Sequence, residues 1–133
     1  MKVWFAFINL LLALATAMTT SHAETFSFDN DVPGALPKGW HQGVTGRGSP
    51  RWTVEADASA PTKPNVLMQA GSGTFPWCVR PEAALADGFV EVMFKPLSGR
   101  EDQAGGVVWR WKNGDHYYVA RANALENNVS VYY

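Results

Sequence analysis

The sequence predicts an all-β protein built from antiparallel strands, and three observations predict it. No stretch after residue 23 keeps a helical period. Phe89 to Lys95 alternates, with Val90, Val92 and Phe94 on one side and Glu91 and Lys95 on the other. Lys112-Asn113-Gly114-Asp115 stands between two β-prone runs, Val107–Trp111 and His116–Arg121. Asn-Gly in that setting is the strongest short hairpin signal a sequence carries.

The chain opens with a leader. Lys2 gives a positive start, Val3 to Ala17 is nearly all apolar, and Ser21-His22-Ala23 ends in a small residue. This is the pattern of a secretory signal peptide over 1–23, followed by one domain over 24–133. The apolar run falls short of the roughly 18 to 20 residues that span a bilayer, so no membrane partner is expected after cleavage. The expected location is outside the cytoplasm, periplasmic or secreted. With 11 basic and 12 acidic side chains the net charge is −1, and no basic cluster offers a footprint for nucleic acid. Cys78 is the one cysteine, so no internal disulfide forms and packing must hold the domain. One thiol and two histidines after the leader make no set of metal ligands; no metal and no cofactor are expected.

Seven of the eight prolines lie between Pro33 and Pro81. They punctuate Thr25–Phe28, Arg51–Val54, Val66–Gln69 and Cys78–Arg80, which read as short edge strands and loops. Pro81 to Asp87, closed by Gly88, could make two helical turns at most. The strand Phe89–Lys95 then ends at Pro96, and Ser98-Gly99-Arg100 turns the chain. In the hairpin the predicted ladder sets Trp111 opposite His116, Arg110 opposite Tyr117, Trp109 opposite Tyr118 and Val107 opposite Ala120. Alternation then sorts Val107, Trp109, Tyr118 and Ala120 onto an apolar face, and Arg110, Tyr117, Arg121 and Asn123 onto a polar one. A turn at Leu125-Glu126-Asn127 starts a last strand over residues 129–133. Its Val129 and Val131 extend the apolar face; Ser130 and Tyr132 extend the polar one.

Several runs carry a family resemblance. They are Phe28-Asp29-Asn30-Asp31 with Pro33-Gly34, Leu36-Pro37-Lys38-Gly39-Trp40, Trp52-Thr53-Val54 and Pro64-Asn65-Val66-Leu67. More specific are the run from Asp102 through Gly105-Gly106-Val107-Val108-Trp109 to Arg110, and the run from Tyr117 through Arg121-Ala122-Asn123-Ala124-Leu125-Glu126 to Val129. Together they resemble the exported concanavalin A-like (laminarinase-like) domains grouped with the 3-keto-disaccharide hydrolases. That resemblance implies a two-sheet jelly-roll sandwich whose concave face meets a saccharide or related glycoside. Such domains continue for several strands beyond the point where Tyr133 stands. The jelly roll over 24–133 is therefore expected to be partial, and an incomplete reading frame without function is one alternative.

Retaining glycosidases need two carboxylates about 5 to 5.5 Å apart. Laminarinase-type enzymes place them at alternate positions of one strand, and Glu91 to Lys95 offers one acid and then a lysine. Glu101 and Asp102 are adjacent and read as a solvated loop pair. His41 and His116, beside Trp40 and Tyr117, read as structural or surface residues. No catalytic residue is assigned, and hydrolysis rests on the resemblance alone. The stronger expectation is a ligand face of Glu91, Lys95, Arg110, Tyr117, Arg121 and Asn123. Planar donors and acceptors suit sugar hydroxyls, and an aromatic ring suits the apolar side of a pyranose. The competing reading is that Arg110 and Arg121 merely pair with Glu91 or other acids on an exposed sheet. Among the tryptophans, Trp109 reads as packing, Trp40 as a plug at one end, and Trp77 and Trp111 as candidate stacking platforms. Taken together, the expected function is an exported carbohydrate-directed protein; a non-catalytic binding or structural module is the alternative.

Overall fold

The computed structural model describes residues 23–133, so the leader expected over 1–23 lies, apart from its last residue, outside the described residues. Five strands form two antiparallel sheets among them. The first pairs β1 (His41–Ala56) with β2 (Asn65–Val79). The second runs in the order β3 (Ala104–Asn113), β4 (His116–Asn123), β5 (Asn128–Tyr132). No helix occurs among the described residues, and Pro81 to Asp87 makes only turns and bends. The all-β expectation holds.

The proline-punctuated half is less fragmented than its composition suggests. Arg51–Val54 lies inside a 16-residue β1, and Val66–Gln69 and Cys78-Val79 lie inside a 15-residue β2. Pro50 stands opposite Gly71 and Pro76 opposite Val44, so both prolines sit within the ladder. A two-stranded ribbon has a free edge on each strand, where a missing N–H costs no ladder bond. One bulge interrupts the ribbon between Thr45 and Gly48. Gly46 (φ 94°) and Gly48 (φ 126°) adopt backbone angles there that other residues resist, and a Cβ on Gly48 would strike the Ser72 carbonyl. The Thr74 hydroxyl closes the gap, donating to the Thr45 carbonyl at 2.6 Å and accepting from the Arg47 N–H at 2.9 Å.

Thr25–Phe28 is not a strand. It runs as a loop whose Phe26 and Phe28 rings meet Trp40 edge-on at 5.5 and 5.4 Å, with the Arg80 guanidinium 4.8 Å from the Phe26 centroid. Asn65 anchors this loop, donating through its side chain to the Phe28 carbonyl at 3.1 Å while its backbone N–H donates to Asp29 Oδ1 at 3.1 Å. The fully buried Val54 marks the small core beside it. Its N–H donates to the Ala35 carbonyl at 2.9 Å, and its own carbonyl accepts from Gly34 at 2.7 Å.

The second sheet keeps part of the predicted register: Val107 faces Ala120 and Trp109 faces Tyr118. Ala120 faces Val131 and Ala122 faces Val129, so the apolar residues do share one face. That face is not a closed core, because Val129 is 75% and Val131 63% exposed. The larger correction concerns Phe89–Lys95, which joins neither sheet. Its backbone makes no backbone hydrogen bond among the described residues, and its side chains are exposed. Alternation alone does not make a strand; a ladder needs a neighbour, and this segment pairs with no strand of either sheet.

Candidate functional site

The hairpin departs from its predicted ladder at one place, and the departure shapes the site. Beyond Trp109–Tyr118 the next pair is Asn113–His116. Three residues of β3, Arg110 to Lys112, therefore stand against Tyr117 alone on β4. Arg110 absorbs the excess in the left-handed region at φ 49°. This overturns the pairing of Arg110 with Tyr117 and of Trp111 with His116. Arg110 swings to the opposite face, where its guanidinium lies 5.7 Å from the Tyr118 centroid. Trp111 takes its place and stacks on Tyr117, centroids 5.3 Å apart and planes 28° apart.

Trp77 of β2 completes an aromatic group, 4.5 Å from Trp111 at an interplanar angle of 59°. Its indole lies across Gly43 of the neighbouring strand, where a Cβ would collide with the ring, and its edge approaches Gly114 of the hairpin turn. The two sheets meet here. The Thr45 hydroxyl donates to the Gly114 carbonyl, which leaves the Tyr117 hydroxyl to donate to Thr45 at 2.8 Å. Tyr117 is thus held by a ring on one side and a hydrogen bond at its tip.

Four residues further along β4, a rise of about 13 Å on the same face, the chemistry becomes ionic. Arg121 lies 3.3 Å from Asp102, donates to the Tyr132 hydroxyl at 3.4 Å, and sits over the Tyr132 ring at 5.4 Å. The hydrogen bond from Arg121 holds the Tyr132 phenol below its ordinary range, and the same bond raises Arg121. Asn123, 2% exposed, ends the strand. Its Oδ1 accepts from the N–H groups of Gln103 and Leu125, both at 3.1 Å. Its Nδ2 donates to Asp102 at 2.5 Å and to Glu126 at 2.9 Å. Every hydrogen-bonding position of this amide is filled. Asp102 and Glu126 thus bring two carboxylates onto one amide nitrogen.

Of the six predicted site residues, Tyr117, Arg121 and Asn123 share this face. Arg110 has crossed to the other. Lys95 lies 3.4 Å from Asp57 and donates to the Ser59 hydroxyl at 2.7 Å. Hydrogen bonds from Ser59 and then the charge of Lys95 hold the Asp57 carboxyl below its ordinary range. Glu91 is exposed and makes no ion pair among the described residues. Neither Lys95 nor Glu91 reaches the face because their segment joins no sheet.

The residues that sequence reasoning missed are Asp102, Glu126 and Thr45. Asp102 read as a solvated loop acid; it is an exposed loop residue, yet its carboxylate meets both the Asn123 amide and the Arg121 guanidinium. Glu126 carried a signal, since an acid three residues after an Asn that ends a strand can return to it across the turn. Thr45 carried none, because a contact 72 residues away in sequence has no local trace. A hollow of about 370 Å³ lies between Phe94, Pro96, Ala122, Asn123 and Val129; neither Tyr117 nor Arg121 lines it. Comparison of the chain with protein-family models, with curated proteins and with solved structures finds no match.

Proposed function

We propose that this chain is an exported carbohydrate-directed β protein that takes a saccharide on the Tyr117–Asn123 face. The observation that carries the reading is the pairing of an aromatic group, Trp111 on Tyr117 with Trp77 behind, with a braced Arg121–Asp102 pair further along one strand face. Stacking on the apolar side of a pyranose and hydrogen bonding to its hydroxyls are the two demands of sugar recognition, and this face meets both. The resemblance to the 3-keto-disaccharide hydrolase group, and to its concanavalin A-like jelly roll, points to a disaccharide. The signal-like leader supports action outside the cytoplasm. Titration with disaccharides and their 3-keto derivatives, followed by indole fluorescence, tests binding.

Hydrolysis is the second reading, favoured by the convergence of Asp102 and Glu126 on the Asn123 amide. One acid would protonate the leaving oxygen and the other would attack or stabilise the sugar cation. Cleavage of a 3-keto-glycoside that is abolished by both Asp102→Asn and Glu126→Gln supports it. Binding without turnover leaves a recognition module.

A further inference from the structure

We propose that residues 89–97 form a contact between two copies of this chain, pairing antiparallel about Met93. The segment belongs to no regular element, its backbone makes no backbone hydrogen bond among the described residues, and it is exposed along its length. Phe89, Met93 and Leu97, on one face, are 84%, 72% and 64% exposed. Val92 and Phe94, on the other, are less so, and Phe94 rests on Gly105 of β3.

The charges specify a second copy as the occupant. In an antiparallel pair centred on Met93, Glu91 of each copy faces Lys95 of the other, Val92 faces Phe94 and Phe89 faces Leu97. Shifting the centre by one residue sets Glu91 against Met93 or Leu97. A parallel in-register pair sets Glu91 on Glu91 and Lys95 on Lys95. Opposite charges directly across a ladder stabilise it and like charges destabilise it, so this one register is selected. The backbone agrees. With Met93 in a hydrogen-bonded pair, the odd-numbered residues carry the bonds between copies, and the missing N–H of Pro96 falls where none is needed. The contact is self-complementary, as a two-fold dimer requires. Lys95 has three donors, so its bonds to Ser59 and Asp57 leave it free to take a further carboxylate.

The test is sedimentation of the purified protein and of two charge reversals, Glu91→Lys and Lys95→Glu. The native chain is expected to dimerise. Each reversal alone is expected to weaken self-association about tenfold or more, by setting like charges across both ends of the contact. An equimolar mixture of the two variants restores both opposite-charge pairings and is expected to form the mixed dimer. Met93→Cys supplies a readout that does not depend on those variants folding. The Cα atoms of a hydrogen-bonded antiparallel pair lie about 5.5 Å apart, within disulfide reach. Mild oxidation should therefore link two copies through position 93, whereas Glu82→Cys, outside the segment, should not self-link. A monomeric native chain, a dimer indifferent to both reversals, or no cross-link at position 93 overturns the proposal.

Discussion

Trp111 stacks on Tyr117 with ring centroids 5.3 Å apart, although a regular ladder continued from Trp109–Tyr118 would set Arg110 there instead. The exchange is the work of one residue, Arg110, whose φ of 49° inverts the direction of the side chains around it. A left-handed residue other than glycine costs roughly 1 kcal/mol or more, and stacking on Tyr118 offsets part of this.

Arg110→Val is therefore expected to destabilise the protein by about 1 to 2 kcal/mol, since a β-branched residue resists positive φ. It should also weaken saccharide binding, because a relaxed hairpin moves Trp111 off the Tyr117 face. Arg110→Gly should stay within about 1 kcal/mol of the native stability and keep binding. Thermal melts alongside fluorescence titrations separate the two.

The amide of Asn123 meets two backbone N–H groups and two carboxylates while nearly excluded from water. Asn123→Ala leaves these partners unpaired and should cost about 2 to 4 kcal/mol in denaturant unfolding. Asn123→Asp should be no better, because it sets a third carboxylate against Asp102 and Glu126. Arg121→Ala, which removes a partly exposed pair, should cost about 1 kcal/mol or less. A larger loss for Arg121→Ala than for Asn123→Ala would show the bracing to be misassigned.

Burial pushes the Cys78 thiol up to about 12 from an ordinary value of 9.0. The folded chain keeps this proton where the unfolded chain has lost it. Stability from this group is thus fully present below about pH 9 and is lost as pH rises from there toward 12. Unfolding free energy should fall across that window, and Cys78→Ala should flatten the fall. Alkylation of the native thiol at pH 8 should be far slower than that of the unfolded chain.

Much of this fold was legible because the signals were local. Asn113-Gly114 marks its hairpin, and the alternation in β4 sorts Tyr117 and Arg121 onto one face as expected. Pro50 and Pro76 misled because proline forbids a ladder bond on one edge only, and a two-stranded ribbon has edges to spare. Arg110 misled because a bulge leaves no composition signal: Val107-Val108-Trp109-Arg110-Trp111 alternates as well with it as without. Glu91 and Lys95 misled for a third reason. Their segment alternates like a strand, yet which strand lies beside it is a tertiary fact. Trp77 and Trp111 were suggested by their places near a proline and a turn; their meeting across two sheets was not.

One face of the β3–β4 hairpin is expected to bind saccharide through Trp111 at one end and Arg121 at the other. The most direct measurement is the affinity for a panel of disaccharides and their 3-keto derivatives, taken on the native protein, Trp111→Ala, Arg121→Ala and Glu91→Gln, each checked for a folded melt. At least tenfold weaker binding is expected in each of the first two variants, and none in Glu91→Gln, whose side chain lies off the face. No saccharide binding by the folded native protein, or undiminished binding in both Trp111→Ala and Arg121→Ala, would rule out this face as the saccharide site.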